Sequence, residues 1–342
     1  MESLDKEMSA GSGRVVFIFN EMRDDYDDMR DLWYAWLFSR LHFFITKHLI
    51  CKWGNKPKRV VDIGCGTGLQ SFLYAVAGAD VIGVDIADGL VSVAREKATK
   101  FQPGFPITLF PPYFPFVTRY DKFISSLLAS TFSRDAYIPP RFEVADAIRL
   151  PFQDETFDHV NCCGSTLSFI GQYNQALAEI SRVLKPEGTF VLEVEAKYNL
   201  DLVWTALDPL LFGALGFETG LKEALGIAFS DLHSHVTVDY PFGDERNPVY
   251  MDIRLFSGAR LLRELDQHAL GVEKTLSIHS VTNLVPSTFL DSCKPSKSLV
   301  RIFTLLARIE ETCPVQLPGC SLVIFGTKAP PPRNRSGFGN GP

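Results

Sequence analysis

Nine residues constrain this chain more than any others: Val60-Val61-Asp62-Ile63-Gly64-Cys65-Gly66-Thr67-Gly68. The run opens apolar and β-branched with no polar alternation, the pattern of a strand buried on both faces. Glycines then alternate at 64, 66 and 68, and Leu69 to Val76 reads as a helix that stops near Gly78. Strand, glycine loop and helix make the repeating unit of a parallel α/β sheet. Without Cβ atoms the loop can turn tightly and approach a ligand, and the helix start offers unpaired N–H groups. A nucleotide-type ligand is the natural occupant. The dinucleotide fingerprint G-x-G-x-x-G would require glycine at 69, where the chain has Leu69. A hydride-transferring dehydrogenase is therefore disfavoured.

With Asp62 included, the run reads D-x-G-x-G-x-G and resembles the class I S-adenosylmethionine-dependent methyltransferases. The resemblance extends to Asp146-Ala147 with Leu150-Pro151-Phe152 and Phe157-Asp158 downstream, and to the turn Leu184-Lys185-Pro186-Glu187-Gly188. The second of these stretches is most similar to the ubiquinone/menaquinone-type small-molecule methyltransferases. The resemblance implies a Rossmann-like, doubly wound α/β sheet of seven mostly parallel strands. Its last strand, Cys320 to Gly326, would insert antiparallel between the fifth and sixth. It also implies S-adenosyl-L-methionine as cofactor, held by Asp62, Gly64, Cys65, Gly66, Thr67 and Gly68 under its methionine part. Asp85 ends the second strand, 17 positions after Gly68, where a carboxylate accepts both ribose hydroxyls. Ile86 would pack on adenine, Asp146 and Ala147 would meet its polar edge, and Cys163 lies in the loop after the fourth strand.

Composition narrows the partners. Lys and Arg number 34 against 40 Asp and Glu, a formal charge of −6. Nucleic acid is an unexpected partner for such a chain, since phosphate binding needs clustered cations. Cysteines at 51, 65, 162, 163, 293, 313 and 320 form no C-x-x-C pair, so reduced thiols, no metal and a cytoplasmic setting are expected. The opening residues do not read as a signal peptide, and no stretch of about twenty apolar residues suggests a membrane span.

Three segments depart from a minimal α/β plan. Residues 1–57 form an N-terminal segment, with 1–13 expected to be disordered and one or two helices between Phe17 and Ile50. Phe19-Asn20 and Tyr26-Asp27 resemble the lid that many small-molecule methyltransferases fold over the cofactor, which would make Tyr26 a cofactor contact. Within the domain spanning 58–328, residues 102–140 carry seven prolines and nine aromatic residues, and a short helix is expected over 122–132. Residues 198–232 form a second apolar insertion. Stretches this apolar must be buried, line a pocket or touch a membrane surface. Both are expected to wall the acceptor site. Residues 329–342 read as a disordered tail.

The expected reaction is in-line transfer of a methyl group to a small hydrophobic molecule such as a lipid, quinone or natural product. Methylation of a small amine and a non-catalytic, cofactor-binding partner subunit are the alternatives. Peripheral contact with a membrane stays open, as does the oligomeric state. The candidates for a general base are His233, His235, Tyr198 and His279. His233 and His235 form an H-x-H pair, but no third or fourth ligand stands at metal spacing.

Overall fold

The computed structural model describes residues 10–23, 26–27, 31–53, 58–101, 113–131, 137–217, 221–242, 249–292, 294–313 and 317–330, with backbone alone at 10–12 and 241–242. Residues 1–9, 102–112, 132–136 and 331–342 lie outside the described set. The expectations of disorder at the two extreme ends, and the apolar run through Phe110, therefore fall there.

The first half of the domain alternates strand and helix. β1 (Arg59–Ile63) leads through the glycine loop into α3 (Leu69–Val76), preceded by α1 (Ala10–Glu21) and α2 (Leu32–His48). β2 (Asp80–Asp85), α4 (Asp88–Lys100), α5 (Pro115–Thr131) and β3 (Arg141–Val144) follow. β4 (Phe157–Cys162), the short α6 (Thr166–Phe169), α7 (Tyr173–Val183) and β5 (Leu184–Glu195) complete the parallel part. Beyond it come α8 (Asp201–Leu207), α9 (Leu221–Phe229) and a hairpin of β6 (Val236–Phe242) and β7 (Val249–Leu255). The chain then runs α10 (Gly258–Gln267), β8 (Leu270–Ile278), α11 (Ser287–Leu290), α12 (Lys297–Thr312) and β9 (Ser321–Lys328).

Seven strands form one sheet in the order β3-β2-β1-β4-β5-β9-β8. Neighbours from β3 to β5 are parallel, and β9 runs antiparallel between β5 and β8. This is the sheet expected from sequence. The order reverses direction at β1 and β4, so the loops after β1, β2 and β4 open a crevice at the carboxyl edge. Two large apolar layers cover the faces: α2, α5 and α12 on one, α7 and α10 on the other. The central strands β1 and β4 are buried on both faces, with Asp62, His159 and Asn161 as buried polar residues among their apolar ones.

Two local expectations change. Residues 10–13 are helical, not disordered, because α1 starts at Ala10. The helix placed at 122–132 begins at Pro115, since proline is tolerated in a first turn. α5 also lines neither of the two cavities described below. Phe116 is 2% exposed and packs edge-on against Trp36 and close to Phe303, with Phe114 stacked behind it. Arg40 of α2 donates to Tyr120 Oη at 2.9 Å and lies over the Phe44 ring, while Trp36 Nε1 donates to Glu310 Oε1 at 3.1 Å. The buried stripe of α5 is core.

Candidate active site

The glycine loop is folded back on the sheet by its own backbone. Gly64 and Cys65 donate their N–H groups to Val84 O at 2.8 and 3.0 Å. Gly64 and Gly66 have φ of +69° and +53°, a region costly for side chains. A Cβ at Gly64 would run into the Thr166 side chain, and one at Gly66 would lie 3.2 Å from the Tyr26 ring.

Asp85, at the end of β2, locks this loop to the next one. Its Oδ2 accepts from Gly66 N at 2.8 Å and its Oδ1 from Ala87 N at 2.9 Å. Burial raises its pKa despite those hydrogen bonds. Around it lies a cleft lined by Ile63, Gly64, Ile86, Leu90, Asp146 and Ala147, with Gly164, Thr166 and Phe169 on the far side. Asp146 Oδ1 accepts from Ile148 N at 3.1 Å, which fixes the turn after β3. Asp85, Ile86, Asp146 and Ala147 therefore come together as the sequence anticipates.

The other members of the expected set support the cleft from below. Asp62 is 1% exposed and accepts from Ser71 Oγ at 2.6 Å and Asn161 Nδ2 at 2.7 Å. Its carboxylate ties β1 to α3 and β4, and burial pushes its pKa up to about 6 against those hydrogen bonds. Cys65, Thr67 and Cys163 are buried, and Cys163 Sγ turns toward Asn161 Oδ1. None of Asp62, Cys65, Gly66, Thr67, Gly68 and Cys163 lines the cleft.

The N-terminal segment closes the cleft from above. Val15, Phe19 and Tyr26 line it. Asn20 clamps α1 to the start of α4: its Nδ2 donates to Asp88 Oδ1 at 2.8 Å, and its Oδ1 accepts from Gly89 N at 2.8 Å. Asp27 accepts from Thr67 Oγ1 of the glycine loop and from Lys97 Nζ, the latter at 2.8 Å. Burial and the neighbouring Asp85 raise the Tyr26 pKa.

A second cavity of about 670 Å³ adjoins the cleft, and the two share Phe19, Tyr26, Gly164 and Phe169 as walls. Trp33, Tyr34, Leu37 and Phe38 of α2 line one side, and Tyr240, Ile253 and Leu255 of the hairpin another. The second insertion contributes Asn199, Asp201, Leu202, Thr205, Phe217, Ala224 and Ile227. Among the lining residues Lys197 is the one Lys or Arg, and its Nζ donates to Asp231 O at 2.9 Å and Ser234 O at 3.0 Å.

None of the four candidate bases lines either cavity. His235 is enclosed, with Nδ1 accepting from Ser257 N at 3.0 Å and Nε2 2.9 Å from Glu264 Oε2. His279 stacks on Trp33 at 3.7 Å and meets Trp33 O through Nε2, and burial lowers its pKa to about 4. His233 lies at the surface near Asp231. Tyr198 lies against the Lys197 ammonium. No group of three or more metal-ligating side chains exists among the described residues.

The acidic groups of the larger cavity escape the motif reading. Glu195, Asp201 and Asp31 line it, and Asp291 lies 3.5 Å from Tyr240 Oη. Burial raises the pKa of Glu195, and the charge of Glu193 adds to it. Burial with Asp31 and Asp201 nearby pushes Asp291 up to about 8, and burial brings Asp31 to about 6. The signal was present in the run Leu192-Glu193-Val194-Glu195: two acids on one face of an apolar strand, at its carboxyl end.

The chain is similar in sequence to known methyltransferases. Two family models, each described as a methyltransferase domain, match residues 60–110 and 104–192. A demethylmenaquinone methyltransferase of Symbiobacterium thermophilum is 26% identical over 57% of this chain and 66% of its own length. One from Thermus thermophilus is 30% identical over 40% of this chain and 46% of its own. A 2-phytyl-1,4-naphtoquinone methyltransferase of Synechocystis is 29% identical over 50% and 58%. The chain thus spans less than two thirds of the length of these relatives. A solved structure described as a SAM-dependent methyltransferase from Methanosarcina mazei has 17% identity and a TM-score of 0.48, covering 83% of this chain and 98% of that one.

Proposed function

The chain belongs to the class I S-adenosylmethionine-dependent methyltransferases, in their ubiquinone/menaquinone-type group, and from that premise we propose that it methylates a small, hydrophobic, quinone-like acceptor by in-line transfer. One observation carries the reading: an aromatic-walled cavity opens directly beside the cofactor cleft and shares four wall residues with it. Apolar ligands with a few polar anchors occupy cavities of this kind.

The cleft suits the cofactor. Asp85 offers lone pairs to a diol, Ile86 and Leu90 offer an apolar face, and Asp146 offers an acceptor beside the Ala147 backbone. The bound cofactor supplies an already electrophilic methyl carbon. The protein's part is alignment and exclusion of water. α1 and Tyr26 serve as the lid that excludes it, fastened by Asn20, Asp27 and Lys97. Phe19 and Phe169, 5.5 Å apart and edge to face, frame the passage between cleft and cavity.

The second insertion also supports peripheral seating on a membrane. Leu210, Phe212 and Phe229 are 68%, 99% and 84% exposed, and such apolar exposure favours a lipid boundary. No helix among the described residues is long and apolar enough to cross a membrane.

Transfer of a labelled methyl group to an alkylated 1,4-naphthohydroquinone, measured against a naphthyl amine of similar size, tests the reading. Preference for the hydroquinone is expected. Preference for the amine would move the small-amine alternative ahead, and the acids of the cavity would then serve as its anchor.

A further inference from the structure

Glu195 occupies a position that the reaction can use. It is the last residue of β5 and lines the larger cavity. Its Oε1 accepts from Ser165 Oγ at 2.6 Å, whereas its Oε2 accepts no hydrogen bond among the described residues. Ser165 adjoins Gly164, which lines both cavities. One hydrogen bond therefore separates the carboxylate from the passage between them.

The support of Ser165 is unusual in its backbone as well. Its φ is +58°, following Gly164 at +75°, a conformation that a non-glycine residue adopts only when its surroundings hold it. The holding groups are the two acids of β5: Ser165 N donates to Glu193 Oε2 at 2.6 Å while its hydroxyl donates to Glu195. One carboxylate fixes the loop. The other is fixed by it, with an oxygen left over.

We propose that Glu195 is the catalytic base, its Oε2 taking the proton of an acceptor whose nucleophilic atom still carries one on entering the cavity. This rests on the reading of that cavity as the acceptor site. The nucleophilic atom forms its bond to the methyl carbon as the carbon–sulfur bond breaks, and that bond's electron pair stays on sulfur. The proton passes from the same atom to Oε2. A neutral sulfide, a neutral carboxylic acid and the methylated acceptor result. Charge and atoms balance with no further reactant.

The surroundings suit a base rather than a permanently charged anchor. Facing groups are Glu193 on the same strand, Asp201 on α8, Asp31 and Tyr34 at the start of α2, Tyr240 on β6, and Asp291 after α11. Cys320, just before β9, and Tyr26 complete the set, and the Lys197 ammonium is turned to carbonyl oxygens. Burial and this like charge raise the Glu195 pKa toward the pH at which a base works best.

The test uses the full chain with Glu195→Gln and Ser165→Ala. Infrared difference spectra of the complex with S-adenosylhomocysteine should show a carboxyl group that loses its proton above the ordinary carboxylate range and is missing in Glu195→Gln. Methyl transfer to the naphthohydroquinone should fall at least about 100-fold in Glu195→Gln, by the usual worth of a base. Affinity for S-adenosylhomocysteine, measured by calorimetry, should stay within about twofold, which also shows that the variant folds. In Ser165→Ala the acid limb of kcat should move to higher pH, because a hydrogen bond to the ionised form is lost. An unchanged infrared difference overturns the proposal whether or not an acceptor is found. So does an unchanged acid limb in Glu195→Gln. Absence of turnover in the wild type, with the infrared band present, counts against the hydroquinone reading alone.

Discussion

The two insertions are alike in composition and opposite in fate. Residues 113–131 are taken into the core, where Phe116, Val117, Tyr120, Ile124 and Leu128 bury one stripe of α5. Residues 198–232 bury little, leave Phe212 and Phe229 in the open, and lend seven side chains to the larger cavity. Apolar content alone does not separate them. Their attachment points do. The first joins α4 to the edge strand β3 and lies on a sheet face already roofed by α2 and α12. The second leaves the end of β5, beside the crevice, where no layer stands ready to cover it.

The comparison breaks most visibly in stability. Phe116→Ala should destabilise the fold by about 3–5 kcal/mol, the range for a buried aromatic replaced by alanine. Phe217→Ala, on the cavity wall and half-buried, should stay within about 1 kcal/mol while weakening a bound naphthohydroquinone. Urea unfolding of both variants, with binding followed by calorimetry, decides. Equal losses of stability would erase the distinction between core and wall.

A smaller effect is expected where both regions are bystanders. Asp85→Ala removes a charged acceptor from the cleft, a loss of about 1.5–3 kcal/mol. Affinity for S-adenosylhomocysteine should fall about ten- to hundredfold. Because Asp85 also holds Gly66 N and Ala87 N, thermal unfolding must be read beside it. Unchanged affinity in a folded variant would show that the ribose is held elsewhere.

The cleft and the cavity were each legible in part. Tyr26, Gly64, Asp85, Ile86, Asp146 and Ala147 line the cleft while the other six expected contacts do not. The second insertion, expected on the acceptor wall, lines the cavity whose acids were not foreseen. Gly64, Gly66 and Asp85 act locally: close backbone approach and a strand-end carboxylate dictate those residue types at that spacing, so a short run betrays them. The cavity is assembled from α2, the end of β5, the second insertion, the hairpin and Cys320 just before β9, elements far apart in the chain. No spacing records such a meeting. The histidines misled for the same reason. His235 and His279 are polar residues in apolar runs, yet Glu264, Ser257 and Trp33 satisfy them far along the chain. The seven-stranded sheet with its antiparallel last strand, by contrast, was expected from the family resemblance carried by the glycine loop, and the structure has it.

Both regions hold a buried acid with a raised pKa: burial brings Asp121 of α5 to about 7, and Asp291 beside the larger cavity goes higher. Asp291 holds its proton to about pH 8 in the folded chain, well above an unfolded aspartate. A raised carboxyl pKa means the folded state binds the proton more tightly. Its contribution to stability is therefore full below the unfolded value and lost as pH rises through about 8. Asp291→Asn should raise the melting temperature relative to wild type at pH 8.5 and leave it unchanged or lower at pH 5. A pH-independent difference would mean that Asp291 is ordinary and solvated.

The smallest effect concerns the fastening between the N-terminal segment and the glycine loop. Lys97 Nζ is 2.8 Å from Asp27 Oδ2 and 3.3 Å from Thr67 Oγ1, and the ion pair is about a third exposed on each side, 30% and 34%. Exposed pairs contribute about 0.2–1 kcal/mol, so Lys97→Met, which keeps an unbranched apolar stem and gives up the ammonium's contacts with Asp27 and the Phe72 ring, should barely move the melting temperature. Its effect should fall on the lid. If Asp27 holds Tyr26 over Gly66, S-adenosylhomocysteine should dissociate about two- to fivefold faster in stopped flow, the kinetic equivalent of that energy. The association rate should change less, because opening already precedes entry. Asp27→Asn should give the same increase, and the double variant no more than either alone, since one link is broken in each. Additive increases would mean that Lys97 and Asp27 act separately. No increase would show that α1, through Asn20 on Asp88 and Gly89, keeps the segment closed without the ion pair.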